Sequence, residues 1–446
     1  MVVPSSQVPL VFGGTVPGIN FDAAASATPL IAAVEAVAEY LRGGRYSAIH
    51  RGKGWPSEWS TRVYENARKV AQRFVGSSDT TSIVWTQNTT GAINIVAHAL
   101  NLEDRVIAFA FEHHANILPW KNLTLLPIPS SPAELLVTLE CELAKQSTAL
   151  VTITGASNVT GECPDIASVA QLAHAYGALI LVDAAQLAPH CKLHMQAWGV
   201  DLLALSGHKL GAPFGVGVLA AAPSAHYMLR QRSPLIKGGA VVDFVHPDGS
   251  VNWLDDVQAR HEPGSPDIVG VIGTAAAMDT LAALDMDRVE VADQVLREFT
   301  VEALASVPNL TVYRMWKDSP AVGAVAFNVS GIPYALLGSV LSCEFGISTR
   351  DGCFCAHPLM AHLLGIDEKQ AREIGKNRRI GGYLPGAVRV SLGLDINFGS
   401  VLILADAIHA IMKNGPGWDY QLTPDSSGCS PRPDMRELYD TSLRWP

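Results

Sequence analysis

The alternation of apolar strands with helical patterns between residues 80 and 220 constrains the fold more than any other feature. Runs rich in Val, Ile and Leu, such as "SIVWTQ" (82–87), "RVIAFAF" (105–111) and "TALVTITGA" (148–156), have the composition of strands. Helical patterns such as "TTGAINIVAHAL" (89–100) separate them. Continuous apolar strands that alternate with helices are typical of a parallel sheet covered on both faces. The sequence therefore predicts an α/β fold whose active site lies beyond the carboxyl ends of the strands.

A second region follows after about residue 265, where the pattern changes. A long Ala-rich stretch (267–306) predicts one connecting helix, and strands are expected near 310–314 and 322–329, before a helix near 333–344. A chain of 446 residues also favours two domains, because a single core stops growing beyond about 250–300 residues. The expected units are an N-terminal segment that contributes to the small domain (1–30), a large domain (31–290), a small α/β domain (291–413) and a tail without regular structure (414–446).

Composition and charge narrow the class of partner. The chain is 48% hydrophobic and 17% charged, which is typical of a globular protein. Its net charge is −10 and it has no run of Lys or Arg, so we expect neither a nucleic-acid nor a membrane partner. The seven cysteines are too sparse for a disulfide framework, and the first residues do not resemble a secretory signal. The expectation is a cytoplasmic protein that acts on small molecules.

Two polar residues end apolar strands of the predicted sheet. Asp183 ends the apolar run of "GALILVDAAQ", and Lys209 ends "DLLALSGHK" before a Gly-rich turn. Burial lowers the pKa of an ammonium group and so favours the neutral amine that attacks carbonyls. A lysine that forms a Schiff base, with an aspartate facing a ring nitrogen, is what pyridoxal phosphate (PLP) requires. A helix cap or a structural ion pair remains the alternative for Asp183.

A phosphate cradle is predicted where "TQNTTGAIN" opens a helix directly after a strand. Thr89 and Thr90 stand at this helix start, where backbone N–H groups and the helix dipole favour an anion. Ser206 and His208, which flank Lys209, are further donors. Glycines 211, 215 and 217 are expected to let the backbone approach the cofactor. A threonine in such a place is often only a helix cap.

Adjacent histidines occur in "FEHHANILPW" at the end of another predicted strand. Neighbouring side chains of a strand point to opposite faces. One of the two could therefore lie over a planar cofactor while the other faces away, and for His114 a structural role is preferred.

The segment "STRDGCFCAHPLM" (348–360) crowds reactive side chains into one loop: Arg350, Cys353, Cys355 and His357. Thiolate and imidazole ligands would suit a metal, but no second cysteine pair stands at zinc-ribbon spacing. A cysteine beside an arginine is instead suited to nucleophilic chemistry. Arg389, within the apolar strand "GAVRVSLGL", needs an anionic partner, either a substrate carboxylate or an internal salt bridge.

Together these motifs resemble those of the cysteine desulfurase and selenocysteine lyase family, in the class V aminotransferase group of PLP enzymes. The resemblance runs from residue 21 to residue 394 and rests on motifs in the family's order: "FDAAASATP", "HRG", "EHHANILPW", "SNVTGE", "VDAAQ", "SGHK", "RHEPGSPD", "RDGCFCAHP" and "RVSLGL". It implies the fold type I architecture of PLP-dependent transferases, which is similar to that of aspartate aminotransferase. A large, mainly parallel domain and a smaller C-terminal α/β domain belong to that architecture.

The resemblance also implies the cofactor contacts. Lys209 would form the Schiff base, Asp183 would contact the pyridine nitrogen, and Gln186 would bond the ring hydroxyl. His113 would stack on the ring and take part in catalysis. The phosphate would be held by Thr90, Ser206 and His208. Ser265 would reach the phosphate of a second subunit, so the resemblance implies a homodimer.

For the substrate, the resemblance implies that Asn158 and Arg389 bind the α-carboxylate, with Arg350 at the start of the loop. Cys355 matches the family's nucleophile. Two segments depart from the family pattern: "KGWPSEWS" (53–60) replaces a His-containing stretch, and "CFCAHP" puts a second thiol before the nucleophile. The first change lies where substrate could enter and leaves room for a larger S-substituted cysteine.

The leading hypothesis is a PLP enzyme that cleaves the C–S bond of L-cysteine or an S-substituted L-cysteine, of the desulfurase or C–S lyase type, with natural-product biosynthesis as one candidate pathway. A sulfur-acceptor protein is a possible partner. The enzymatic alternatives are decarboxylation-coupled deamination of an S-conjugated cysteine, and an aminotransferase or epimerase with the same cofactor residues. The non-enzymatic alternative is a metal-binding or sulfur-carrier protein that uses Cys353, Cys355 and His357.

Overall fold

The computed structural model describes residues 1–377, 384–423 and 428–436. The strands in chain order are β1 (Gln7–Pro9), β2 (Thr15–Pro17), β3 (Ile19–Asn20), β4 (Ser82–Thr86), β5 (Val106–Phe109), β6 (Leu123–Leu126), β7 (Leu150–Thr154), β8 (Leu179–Asp183), β9 (Leu202–Ser206), β10 (Gly217–Ala221), β11 (Val242–Val245), β12 (Val251–Trp253), β13 (Leu310–Val312), β14 (Ala324–Val329), β15 (Ile347–Ser348), β16 (Arg350–Gly352), β17 (Ala387–Ser391), β18 (Tyr420–Leu422) and β19 (Cys429–Pro431).

Helices account for most of the remaining regular structure. In chain order they are α1 (Ile31–Arg42), α2 (Trp55–Phe74), α3 (Thr89–Ala99), α4 (Pro132–Leu143), α5 (Ile166–Ala175), α6 (Pro223–Arg230), α7 (Val257–His261), α8 (Ile268–Ala283), α9 (Met286–Ala305), α10 (Tyr334–Phe345), α11 (His357–Leu363), α12 (Glu368–Asn377) and α13 (Phe398–Asn414). Two short 3₁₀ helices, His114–Asn116 and Gly207–Leu210, follow strands of the large sheet.

A seven-stranded sheet with the order β4-β10-β9-β8-β7-β5-β6 forms the centre of the larger part. Its strands are parallel except β10, which runs antiparallel to both neighbours. Both faces are buried: in β8, Ile180 and Val182 pack into one core and Leu181 packs into the other. Two-sided burial is the reason that these strands are continuous apolar runs. The predicted α/β fold is confirmed.

A four-stranded antiparallel sheet, β13-β14-β17-β16, forms the smaller part. Side chains from α9, α10 and α13 pack with this sheet in a separate core around Phe327 and Val388. The N-terminal segment contributes to the same core through Phe21, and β3 pairs with β15. Residues far apart in the sequence thus share the core of the smaller part.

The connection between the two parts is not the single helix predicted over residues 267–306. Two helices, α8 and α9, meet at 81°. The break falls at Asp285, whose φ of 65° lies outside the helical region, and its side chain accepts a hydrogen bond from the Asp287 amide. The expected boundary at 290/291 falls inside α9. Among the described residues, no single helix is both long and apolar enough to span a membrane.

The C-terminal tail contains more structure than predicted. Within its described residues, β18 and β19 form a hairpin that packs against α10. The Tyr420 hydroxyl donates to Glu344 at 3.0 Å, and the Ser339 hydroxyl donates to the Cys429 carbonyl at 2.7 Å. The prediction of an irregular tail was wrong for these strands. Residues 424–427 and 437–446 of the predicted tail lie outside the described residues.

Candidate active site

A cavity of about 320 Å³ lies beyond the carboxyl ends of three adjacent parallel strands. The last residues of β7, β8 and β9 are Thr154, Asp183 and Ser206, and all three line the cavity. The other predicted site residues that line it are Thr89, Thr90, His113, Asn158, Gln186, His208, Lys209, Arg350, Cys355 and Arg389. Of the residues predicted to bind cofactor or substrate, all except Ser265 therefore contribute to one cavity, whereas Cys353 and His357 of the metal-binding alternative do not line it.

Lys209 lies in the 3₁₀ helix that follows β9. Its Nζ donates to Gln186 Oε1 at 3.4 Å, and Asp183 Oδ1 accepts from the Ala185 amide at 3.0 Å. Burial lowers the pKa of Lys209 to about 8, against the opposing effect of the Asp183 charge, and burial raises the pKa of Asp183. At neutral to mildly alkaline pH, Lys209 is therefore far more often a neutral nucleophile than an exposed lysine is.

The glycines around Lys209 serve the packing of the chain itself. Gly211 has a φ of 82°, and a Cβ there would meet Leu30 Cγ at 2.8 Å. At Gly217 a Cβ would meet the Asn88 backbone at 2.6 Å, directly before α3. The interpretation that these glycines admit the cofactor is thus corrected. None of Gly211, Gly215 and Gly217 lines the cavity; Gly217 lets the chain pass close to the Asn88 backbone, and Gly211 leaves room for the Leu30 side chain.

His113 lines the cavity, but it does not stand on a strand. Strand β5 ends at Phe109, and His113 caps the following 3₁₀ helix, where its Nδ1 accepts from the Ala115 amide at 3.1 Å. Burial, followed by the charges of Lys209 and Arg389, lowers the pKa of His113 to about 4. The ring is therefore neutral at physiological pH, and the proton resides on Nε2.

His114 holds the cysteine loop. Its backbone N–H donates to the Cys355 carbonyl at 2.8 Å, and its Nε2 accepts from the His357 amide at 3.2 Å. The rings of His114 and His357 lie 4.6 Å apart. These contacts give His114 a structural role. The alternation of side chains along a strand is not the cause, because His114 lies in the 3₁₀ helix.

The start of α3 offers donors at one end of the cavity. Ser206 Oγ contacts both the amide and the hydroxyl of Thr89, at 2.9 and 2.7 Å, and so ties this helix to β9. The side chain of Thr90 is exposed at the cavity. His208 stacks on Phe214 at 5.0 Å, and its buried Nδ1 has no hydrogen-bond partner within the described chain. A helix start with adjacent uncommitted donors suits a phosphate group.

At the opposite end, two arginines from different strands converge on one carboxylate. Arg389 of β17 donates to Asp22 Oδ1 at 3.1 Å and to the Asn158 carbonyl at 2.8 Å. Arg350 of β16 donates to Asp22 Oδ2 at 2.7 Å. Burial lowers the pKa of Arg389 to about 10, so this guanidinium stays charged at neutral pH. From the sequence, an internal salt bridge and a position facing the substrate were alternatives for Arg389. The structure has both.

Cys355 and Cys353 take different environments in the loop before α11. Cys355 is exposed and lines the cavity, whereas Cys353 donates to the Pro385 carbonyl at 2.7 Å. Burial raises the pKa of Cys353 to about 11, which disfavours its thiolate. Phe354 and Cys355 both have left-handed φ, at 52° and 54°. In the described part of the chain, no group of three or more His, Cys, Asp and Glu is placed to hold a metal ion.

Two predicted features lie away from the cavity of this chain. Ser265 is exposed between α7 and α8 and is not part of the cavity wall. Residues 53–60 form the beginning of α2 and the turn before it, and none of them lines the cavity. Whether either approaches the cavity of a second subunit stays a prediction.

Two carboxylates of the site were missed by sequence reasoning. Asp22 was quoted only as part of a motif. Glu112 is fully buried and accepts from the Thr154 amide at 2.8 Å and from Asn116 Nδ2 at 2.7 Å. Burial raises the pKa of Glu112 to about 8. The signal for Glu112 was a lone carboxylate directly after "VIAFAF"; nothing near Asp22 indicates its partners.

The aminotransferase class-V family model matches residues 19–402. A probable cysteine desulfurase of Halalkalibacterium halodurans is 35% identical over 361 residues, which cover 78% of this chain and 86% of the relative. A cysteine desulfurase of Escherichia coli O139:H28 is 35% identical over 356 residues, covering 76% of this chain and 85% of the relative. The chain belongs to the cysteine desulfurase group of class-V aminotransferases.

Solved structures of cysteine desulfurases share this fold. The apo enzyme from Thermococcus onnurineus NA1 superposes with a TM-score of 0.76 at 27% identity, covering 89% of this chain and 95% of that one. An Escherichia coli cysteine desulfurase gives a TM-score of 0.73 at 30% identity, with the same coverage of 89% and 95%. The superpositions cover most of this class-V aminotransferase.

Enzymes of the cysteine desulfurase group depend on PLP, and the residues present fit that cofactor. A lysine of lowered pKa and a buried aspartate face one cavity. An orphaned imidazole nitrogen of His208 and an exposed threonine at a helix start supply donors for a phosphate. The neutral ring of His113 lines the same space. All of these features come from side chains and backbone groups of this chain.

Proposed function

We propose that this chain is a PLP-dependent enzyme that cleaves the C–S bond of L-cysteine or of an S-substituted L-cysteine. The observation that carries the proposal is one cavity that joins Lys209, two arginines and the exposed thiol of Cys355. The amine, the carboxylate and the sulfur of a cysteine each have a chemically matched partner in these residues. The family assignment supports the same reaction.

The cofactor would be held at both ends by residues already in place. Asp183 would hold a proton on the ring nitrogen, Gln186 would face the ring hydroxyl, and His113 would cover the ring. Thr90 and His208 would bond the phosphate. When bound, PLP withdraws electrons from the substrate α-carbon and makes loss of its proton easier.

The protein residues then bind the substrate and move its protons. Arg389, together with Asn158, orients the α-carboxylate, and Arg350 adds a second guanidinium at the mouth of the loop. The Lys209 amine, with its pKa near 8, takes the proton from the α-carbon. A general base of this kind is most effective when its pKa is close to the working pH.

Cys355 accepts the sulfur in the proposed reaction. Its thiolate attacks the substrate sulfur, and the electron pair of the broken C–S bond stays with the substrate carbon, which is then protonated. From L-cysteine the products are alanine and a persulfide on Cys355, which a sulfur-acceptor protein or a thiol could discharge; from an S-substituted cysteine they are alanine and a mixed disulfide of Cys355 with the S-substituent. Because the nucleophile must be a free thiol, the proposal includes a reducing compartment such as the cytoplasm.

The proposal is tested by assaying alanine, sulfide and pyruvate from L-cysteine with the wild type, Cys355→Ala and Cys353→Ala. We expect Cys355→Ala to lose alanine formation by about 10²-fold or more, as for a nucleophile, with Cys353→Ala as the matched control that keeps it. If pyruvate is the main product and Cys355→Ala forms it as fast as the wild type, the reaction is β-elimination and not sulfur transfer to Cys355.

We further propose a homodimer in which Ser265 of one subunit faces the phosphate of the other. Supporting this, Ser265 is exposed away from its own cavity, and Phe214, which stacks on His208, is 72% exposed. Light scattering during gel filtration should give twice the chain mass of 47.5 kDa. Ser265→Ala should then weaken PLP retention. A monomer that retains PLP equally well in both forms would contradict this part.

A further inference from the structure

Asp22 joins the two arginines of the substrate end without belonging to the cavity wall. Its Oδ1 accepts from Arg389 at 3.1 Å and from Arg350 Nε at 3.3 Å, and its Oδ2 accepts from Arg350 at 2.7 Å. Both arginines line the cavity, whereas Asp22 does not. The carboxylate therefore binds the guanidinium groups from outside and leaves their remaining N–H donors available.

The charges of this cluster do not cancel. Two guanidinium groups face one directly bonded carboxylate, so one positive charge is left for a ligand. Asp351 also interacts electrostatically with Arg350 and Asp22, but among the described residues it forms no ion pair with either arginine, and it packs toward α10, where a Cβ at Gly338 would lie 3.3 Å from its Oδ1. The side chain of Arg389 is 4% exposed and that of Asp22 is 19% exposed, so water screens their pair only weakly.

We propose that Asp22 is a positioning residue that offsets one of the two arginine charges, so that the arginine pair binds a ligand with a single carboxylate. It draws Arg350 and Arg389 together, and it disfavours ligands that bring a second anionic group to the same end of the cavity. The inference rests on the proposed function and narrows its substrate class to cysteine derivatives whose S-substituent is neutral or cationic. Without Asp22 the same two arginines would suit a dicarboxylate.

The test compares propionate with succinate as ligands of the PLP-loaded protein. Their dissociation constants are measured by competition with L-cysteine or, where L-cysteine is not turned over, from the change in the visible absorption band. If L-cysteine is not turned over, the proposed function fails, but the inference about Asp22 can still be tested by ligand binding. In Asp22→Asn, which removes the charge but keeps the shape, we expect the preference to move toward succinate by about tenfold.

Charge compensation separates this role from a structural one. In the double variant Asp22→Asn with Arg350→Gln, a single positive charge is restored and the preference should return to the wild-type ratio. Asp395→Asn is the matched control. Asp395 accepts a hydrogen bond from the Thr28 hydroxyl at 2.6 Å and does not line the cavity. The ratio of the two dissociation constants should therefore stay at its wild-type value in this variant.

An unchanged ratio in Asp22→Asn, or a double variant that keeps the altered ratio, would overturn the proposal. If Asp22→Asn does not fold, Asp22→Glu serves instead, because it retains the charge. It should keep the wild-type preference even where both ligands bind more weakly. A shift toward succinate in Asp22→Glu would contradict the charge argument.

Discussion

The cofactor side and the substrate side of the cavity differ in the elements that carry them. On the cofactor side, Asp183 ends a buried parallel strand, and Lys209 follows the next strand by three residues. On the substrate side, Arg350 and Arg389 come from the small sheet, and Cys355 stands in a loop. The first side is positioned by backbone that is buried on both faces of a sheet.

Ion pairs and loop contacts position the second side. Asp22 holds the two arginines, and Asn158 donates to the Phe354 carbonyl at 2.7 Å beside Cys355. The two sides are therefore positioned differently. The edge of the large sheet positions the cofactor residues, and a set of ion pairs and loop contacts positions the substrate residues. Substitutions on the two sides should therefore differ in what they change.

The largest effect is expected for Lys209→Ala. Loss of a general base alone lowers turnover by roughly 10²–10⁴-fold, and the lysine's bond to the cofactor is lost as well. The visible absorption band of the bound cofactor should shift or disappear in the purified variant. An unchanged band together with substantial turnover would place the reactive amine elsewhere.

Asp183→Asn should come next, with a fall in kcat of about 10²–10³-fold, the range for loss of one preorganised electrostatic contact. An amide cannot support a protonated ring nitrogen as a carboxylate does. The measurement is kcat for L-cysteine at saturating PLP, which separates catalysis from cofactor loss. A variant with wild-type kcat would show that the carboxylate serves only the fold.

The pH dependence of cofactor incorporation tests the same side without mutation. Because the pKa of Lys209 is lowered to about 8, its neutral amine should increase about tenfold per pH unit below 8 and level off above it. The rate of PLP uptake by the cofactor-free protein, followed by absorbance, should show this profile. A rate that keeps rising to pH 10 would indicate an unperturbed lysine.

Arg389→Lys is expected to give the smallest effect and to fall on the substrate side. The charge stays, but the forked contact to a carboxylate is lost, so KM should rise by about tenfold while kcat changes little. The visible band should be unaffected. A large fall in kcat with an unchanged KM would erase the distinction between the two sides.

The sequence led to the residues that share the cofactor side of the cavity because their signals are local. Asp183 and Lys209 stand out as polar ends of apolar strands, and their neighbours Gln186 and His208 follow within the same motifs. Burial on both faces made the strands of the large sheet visible as continuous apolar runs. Two interpretations on this side were corrected: His113 does not stand on the strand, which ends four residues earlier, and the glycines after Lys209 do not line the cavity.

The substrate side was predicted in part, because its contacts join distant segments. Asp22 lies 328 and 367 residues from its two arginines, and no local pattern reports such a pairing. The break at Asp285 was hidden by an Ala-rich composition that suits one long helix as well as two. The tail hairpin also depends on tertiary contacts with α10, which no local pattern reveals.

Incubation of the purified, PLP-loaded protein with L-cysteine and a thiol reductant tests the central claim most directly. We expect a protein with a visible absorption band that forms alanine and sulfide in equal amounts. A protein that binds no PLP, or one that shows the band but leaves both L-cysteine and S-alkyl cysteines unchanged, would contradict the account.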